Sequence, residues 1–332
     1  MIVEVNNITK SFKIKERKNG FIKNIFSNDY REITAVKNLS LNISKGDILG
    51  YIGVNGAGKS TTIKMLIGIL LADSGNIKIF GKDPYMNRIE ISKKIGVVFG
   101  QRSQLIWDLP PIDTFKLLSK IYEIPNKVFL ERISNISSYL NLNNFINTPV
   151  RKLSLGQRMC CEITASLLHN PEILFLDEPT IGLDVINKEK IRKFILEINN
   201  EYQTSIFLTS HDMIDVEKLA NKIIAIDNGS KIFDGTINEL RDKYGIMKTI
   251  KIEFDQIIDN KIILQKLNEL DLFFENNILK INYNNNLHNS ANILRQILDL
   301  NYDIKNIDIS EPEIDEIIKL LYSSKISGGC SK

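Results

Sequence analysis

Gly53-Val54-Asn55-Gly56-Ala57-Gly58-Lys59-Ser60, followed by Thr61, is the stretch from which the rest of this chain is best read. It has the spacing G-x-x-x-x-G-K-[ST] and lies between an apolar run, Asp47–Ile52, that reads as a strand, and a segment with helical spacing. Glycines at these places let backbone N–H groups close around phosphate oxygens, and the helix that follows adds the positive end of its dipole. Lys59 then reaches the terminal phosphates of a nucleotide, and the Ser60 hydroxyl can ligate Mg²⁺.

Working outward, Glu172-Ile173-Leu174-Phe175-Leu176-Asp177-Glu178 is an apolar strand that ends in two carboxylates. A buried parallel strand aims its C-terminal end at the ligand edge of its sheet. There Asp177 would hold Mg²⁺ through its water shell, and Glu178 would polarise an attacking water. Alone, paired acids could merely cap a strand; beside a phosphate loop the chemical reading wins. Leu153-Ser154-Leu155-Gly156-Gln157-Arg158 opens a helix, where Ser154 and Gly156 make a second anion site. Pro179-Thr180-Ile181-Gly182-Leu183-Asp184 follows the acids.

The chain around these motifs has 332 residues, 43% hydrophobic and 25% charged, which excludes collagen-like, disordered and disulfide-scaffold classes and points to about two domains. Over residues 1–245 strand-length apolar runs alternate with helical patterns, the sequence form of an α/β domain. These runs are Ile2–Val5, Leu39–Ile43, Asp47–Ile52, Asn76–Phe80, Ile95–Phe99, Ile173–Leu176, Ser205–Thr209, Lys222–Asp227 and Lys231–Phe233. Residues 110–170 break the alternation with helical patterns alone and read as a helical insertion. Lys13–Lys37 carries seven Lys or Arg against three acids, with Phe21, Ile22, Ile25 and Phe26 on one helical face. That spacing predicts an amphipathic helix, which either covers the sheet or docks on a membrane or partner. Residues 246–322 follow a strand-helix-strand-strand-helix-strand-helix pattern that predicts a small ferredoxin-like α+β domain, leaving 323–332 as a tail.

The net charge is +3, distributed as +6 over residues 1–245, −5 over 246–322 and +2 over the tail 323–332. Such a balance argues against a nucleic-acid partner. Cys160, Cys161 and Cys330 form no disulfide framework, so a reducing cytoplasm is expected, with the first two read as packing residues on a helix. The start Met1–Asn6 does not read as a signal peptide, and the apolar stretch Met65–Ala72 falls short of the ~18–20 residues of a membrane span. A membrane role is therefore expected to run through a partner.

The motifs together resemble those of the ATP-binding cassette (ABC) ATPases. Gly53–Ser60 is similar to their Walker A, Ile173–Glu178 to Walker B, Leu153–Arg158 to the signature loop and Ile181–Asp184 to the D-loop. Gln101, after Ile95–Phe99, matches the Q-loop, and His211, after Ile206–Thr209, matches the H-loop. The resemblance implies a P-loop fold with a RecA-like core, an antiparallel β subdomain and a helical subdomain over about 110–170. It also implies two ATP molecules held with Mg²⁺ between two such subunits, a homodimer or heterodimer, each Walker loop facing the signature residues Ser154, Leu155, Gly156 and Gln157 of the other. By the same resemblance Gln101 joins Ser60 and Asp177 at the metal, Asp184 belongs to the D-loop, and His211 contacts the γ-phosphate and holds Glu178 and water in line. Phe12 matches the aromatic that stacks on adenine. Leu155 is a departure, because many cassettes have Gly there.

Lys10-Ser11-Phe12 with its insertion, Gly96–Leu105 with Trp107-Asp108-Leu109-Pro110, and the acidic Ser310–Asp315 segment are similar to the NatA-like exporter branch. That resemblance implies a separately encoded permease at the cytoplasmic face of a membrane, docked through a groove over Gln101–Pro111. A soluble ABC ATPase is the competing class. Translation-type members carry two cassettes and repair-type members long coiled coils, and neither pattern occurs here. A guanine-reading switch would leave Leu153–Gln157 unexplained.

Overall fold

An antiparallel sheet and a mostly parallel one make up the first of the two units into which the chain divides, Met1–Gly235 and Thr236–Lys332. The structure is a computed structural model that describes residues 1–15, 30–100, 103–256, 258 and 260–327. The first unit opens with β1 (Val3–Lys15), β2 (Tyr30–Ile43), β3 (Ile48–Gly53), α1 (Lys59–Leu66), β4 (Ser74–Ile79), α2 (Arg88–Ser92) and β5 (Ile95–Phe99). Three helices follow, α3 (Pro111–Ile121), α4 (Asn126–Leu140) and α5 (Leu155–Leu167). It closes with β6 (Ile173–Asp177), α6 (Val185–Tyr202), β7 (Ser205–Ser210), α7 (Met213–Leu219), β8 (Lys222–Asp227) and β9 (Ser230–Gly235).

The six-stranded sheet runs β5-β6-β7-β3-β8-β9, parallel except for β9, and the three-stranded sheet runs β2-β1-β4. Period-two alternation divides the central strands between two cores. Leu174, Leu176, Ile206 and Leu208 pack with the helical insertion, while Ile173, Phe175, Phe207 and Tyr51 pack with the antiparallel sheet. This is the expected α/β cassette with its antiparallel and helical subdomains.

Phe207 sits between Tyr51 and Phe175 on the two neighbouring strands, with ring centroids 5.1 and 5.7 Å away. The Tyr51 hydroxyl bonds Thr62 Oγ1 at 3.1 Å, fixing β3 to α1, and burial pushes its phenol well above the usual range. Phe207→Ala empties a site bounded by two rings and is expected to destabilise the first unit by about 3–5 kcal/mol, read as a lower denaturant midpoint with an unchanged slope.

In the stretch Lys13–Lys37 the described flanks are strand. Lys13–Lys15 and Tyr30–Lys37 extend β1 and β2 into an antiparallel pair, Phe12 opposite Ile33 and Ile14 opposite Arg31. Alternation and cross-strand pairing decide these flanks; Phe21, Ile22, Ile25 and Phe26 lie outside the described residues.

The second unit contains α8 (Ile237–Tyr244), β10 (Met247–Phe254), α9 (Asn260–Lys266), β11 (Asp271–Glu275), β12 (Ile278–Asn284), α10 (Ser290–Leu298), β13 (Ile304–Ser310) and α11 (Ile314–Ser327). Its sheet runs β11-β12-β10-β13 with every neighbouring pair antiparallel. Ile250, Ile252, Phe254, Ile281 and Tyr283 build a separate core with Ile263 and Ile297. This unit starts at Thr236, ahead of the expected boundary after residue 245, because α8 belongs to it. A capping box starts that helix: Thr236 N–H donates to Glu239 Oε2 (2.7 Å) and Glu239 N–H to Thr236 Oγ1 (3.2 Å).

Candidate active site

Four parallel strands bring the site together at their C-terminal edge. β3 leads into the glycine loop, β5 ends at Phe99, just before Gly100, β6 at Asp177 and β7 at Ser210. Gly58 caps α1 at φ +107°, and an added Cβ would lie 2.2 Å from the Ala35 carbonyl oxygen. Only glycine fits there. No side chain caps α1, so its first-turn N–H groups are left for a ligand.

Lys59 is buried and folds back over the loop, donating to the Gly53 carbonyl at 2.6 Å and the Val54 carbonyl at 3.3 Å. Burial pulls its ammonium below the ordinary lysine value, against the attraction of the Glu178 and Asp177 carboxylates. The Ser60 hydroxyl donates to Asp177 Oδ2 at 3.3 Å, and Thr209 Oγ1 to Asp177 Oδ1 at 2.7 Å. Glu178 has left-handed backbone, φ +55°, and its N–H is held by Thr209 O at 3.0 Å and Thr209 Oγ1 at 3.1 Å. That conformation is costly for a non-glycine residue and turns the chain sharply after the strand. Glu178 Oε2 lies 3.4 Å from His211 Nδ1.

These groups surround a cleft of about 700 Å³, lined by Asn55, Gly56, Gly58, Lys59, Ser60, Thr61, Asp177, Glu178 and His211, with Ala35, Phe99 and Gly100 beside them. Ser60 Oγ and the Asp177 carboxylate are hard oxygen donors of the kind Mg²⁺ takes together with phosphate oxygens and water. Among the described residues no group of three or more His, Cys, Asp or Glu forms a metal cage. The donor set therefore suits a cation that arrives with a polyphosphate. Gln101 lies outside the described residues.

Phe12 is 38% exposed on β1, with Lys10 Nζ 5.8 Å from its ring centroid, and is not part of the described lining of the cleft. The signature residues are likewise absent from that lining. Ser154 caps α5 in a reciprocal box with Gln157: Ser154 N–H donates to Gln157 Oε1 (2.9 Å) and Gln157 N–H to Ser154 Oγ (3.2 Å). Leu155 stays 38% exposed, and its Cδ2 lies 2.9 Å from where a Cβ on Gly182 would be; Gly182 has φ +72°. Gly156 lies equally close to the Asn187 side chain, 2.8 Å from the position of an added Cβ. Asp184 holds that asparagine, accepting its N–H at 2.9 Å and its Nδ2 at 2.6 Å. Signature loop and D-loop are thus interlocked.

Thr209 is the residue the sequence reading passed over. It touches both carboxylate residues, and the signal for it was the polar Thr209-Ser210-His211 ending an otherwise apolar strand at the ligand edge. Beyond Gln101, Ser103 Oγ donates to Glu162 Oε1 and Gln104 N–H to Glu162 Oε2 at 3.2 Å, fastening this segment to α5. Burial raises the Glu162 carboxyl above its usual value.

Residues 36–181 match the family model described as ABC transporter. The ABC transporter ATP-binding protein NatA of Bacillus subtilis is 31% identical over 215 residues, covering 65% of this chain and 87% of that protein. The bacitracin transport ATP-binding protein BcrA of Bacillus licheniformis is 28% identical over 304 residues, 90% of this chain and 94% of that protein. A solved dimeric ATP-binding cassette in a post-hydrolysis state, bound to ADP and Pi, superposes with a TM-score of 0.61 at 27% identity, over 71% of this chain and 98% of its own. Phosphate loop, carboxylate strand and histidine at one sheet edge, with the signature loop at the start of α5, agree with these likenesses, and the chain belongs to the family of ABC transporter ATP-binding proteins.

Proposed function

We propose that this chain is the motor of an exporter: it closes on MgATP as a dimer, hydrolyses it, and passes the resulting movement to a separate permease at the cytoplasmic face of a membrane. ATP binding and hydrolysis are the family's activity. The observation that carries the assignment to residues is the placing of Lys59, Ser60, Asp177, Glu178 and His211 around one cleft. Gly53, Val54, Asn55, Gly56, Ala57, Gly58 and Thr61 wrap the phosphates, and Lys59 neutralises them.

Ser60 and Asp177 would hold Mg²⁺, with Gln101 as its third contact, and the metal would draw charge from the β- and γ-phosphate oxygens. Glu178 takes the proton of the attacking water and His211 steadies Glu178. Phe12 stacks on the adenine. Ser154, Leu155, Gly156 and Gln157 read the γ-phosphate across the dimer, with Asp184 behind them. The exposure of Ser154 and Leu155 at the start of α5 supports this trans arrangement.

Transport rests on the likeness to NatA, an ABC transporter ATP-binding protein, and to BcrA, a bacitracin transport protein whose similarity runs through both units of this chain, and export on the resemblance of its motifs to the exporter branch. No helix among the described residues is long and apolar enough to cross a membrane, which agrees with a separate permease. Trp107 is 53% exposed beside Ile106 and Leu109, also exposed, in the segment expected to dock it. Trp107→Ala is expected to weaken permease binding by roughly 2 kcal/mol or more, leaving ATP binding by the isolated chain intact. Co-purification with the permease and nucleotide titration check this; parallel loss of both would make Trp107 a folding residue.

A further inference from the structure

Outside the cleft, the first unit buries one ionised cluster with no role in the reading above. Asp215 on α7 is fully buried, and Arg192 on α6 is 5% exposed. Arg192 Nε donates to Asp215 Oδ1 at 2.6 Å, and its Nη2 lies 2.5 Å from the same oxygen. The other oxygen, Oδ2, accepts from two hydroxyls, those of Thr180 and of Ser210, the latter at 3.1 Å. Ser210 Oγ in turn accepts Asp212 N–H at 3.0 Å, and Asp212 Oδ2 binds Lys188 at 2.6 Å and faces Arg192 at 3.6 Å. Glu189 faces Arg192 at 3.4 Å and Lys218 at 3.0 Å.

The two hydroxyls on Asp215 belong to the two chain segments that carry the reacting groups. Thr180 lies two residues beyond Glu178, and Ser210 directly precedes His211. Each segment is thus held on both sides of its functional residue. Glu178 is pinned before by its N–H on Thr209 and after by Thr180 on Asp215. His211 is pinned before by Ser210 on Asp215 and after by Asp212 on Lys188. The strained backbone of Glu178 persists only where the surroundings over-determine it, and these bonds supply that determination.

We propose that Asp215, locked by Arg192, is the positioning residue that keeps Glu178 and His211 in register with each other during ATP hydrolysis. The proposal rests on the assignment of Glu178 and His211 above. Asp215 is fully buried and lies outside the lining of the cleft; its one carboxylate clamps the segments that follow Glu178 and precede His211, and α6 supplies the counter-charge. Loss of the clamp lets the base and the histidine drift apart without altering the phosphate loop. Displacements of this kind lower the chemical step and leave ground-state binding alone.

The test is MgATP turnover by the full chain carrying Asp215→Asn, with nucleotide affinity measured separately. A fall in kcat of about tenfold to a hundredfold, with KM and affinity held within about twofold, is expected. In a Glu178→Gln background the same change should subtract nothing further from the residual rate, because both act on one step. Asp215→Asn with parental kcat, or with kcat and KM falling together, overturns the proposal. Should Asp215→Asn fail to fold, Thr180→Val removes one bond and no charge, and should show the same split at a few-fold loss; unchanged kcat there also overturns it. A Glu178→Gln chain that still hydrolyses ATP is a separate result and sinks the base assignment itself.

Discussion

A chain carrying Glu178→Gln is expected to bind ATP and then stall, with turnover down by at least about 10²-fold, the usual contribution of a general base. Gln keeps the size of Glu and the hydrogen bond open to His211, 3.4 Å away, but it cannot take a proton from water at neutral pH. The phosphate loop, Lys59 and the Ser60–Asp177 pair remain, so nucleotide affinity stays. ATP that is bound and not cleaved should hold two copies together. Size-exclusion chromatography with and without ATP reads this as a nucleotide-dependent dimer that the parent chain populates only briefly. Parental hydrolysis in this variant would remove Glu178 from the base role.

Gly58→Ala should cost the chain most of its nucleotide affinity. The left-handed backbone at φ +107° already excludes a side chain at about 1–3 kcal/mol, and the Ala35 carbonyl oxygen, 2.2 Å from the new Cβ, adds a backbone collision. Relief requires α1 to move away from β2, carrying Lys59, Ser60 and Thr61 with it. At 1.4 kcal/mol per decade, affinity should fall about tenfold to a hundredfold. Gly56→Ala separates the causes: its φ is +83°, yet nothing lies within 4 Å of an added Cβ. It therefore meets the backbone penalty alone. Titration with a fluorescent nucleotide should rank Gly58→Ala well below Gly56→Ala, and equal losses would show that the approach to Ala35 is without consequence.

Much of this was readable before any coordinates, for definite reasons. The phosphate loop is one continuous segment whose chemistry needs fixed spacing, so Gly53–Ser60 declares itself. Ile173–Leu176 is apolar at every position because both of its faces are buried, and that pattern ends at the very acids that matter. What escaped reading depends on partners far away in sequence. Nothing near Asp215 announces that Thr180, Arg192 and Ser210 converge on it, since an aspartate on a short amphipathic helix reads as solvated. The left-handed turn at Glu178 carries no glycine to mark it. In Lys13–Lys37 the charged flanks hid the strand alternation that pairs Phe12 with Ile33. Helix α8 was missed despite Thr236 and Glu239 standing at capping-box spacing, because its apolar face is short and only Leu240 is buried.

The contact between Leu155 and Gly182 also bears on how this cassette can vary over generations. A side chain at 182 would meet only the Cδ2 tip of Leu155, which is 38% exposed and can turn aside, so the feature that holds glycine at 182 is its left-handed backbone, φ +72°, which asparagine also tolerates. Position 155 can therefore change size without consequence for 182. Descendants should vary freely at 155 and keep glycine, or at most asparagine, at 182.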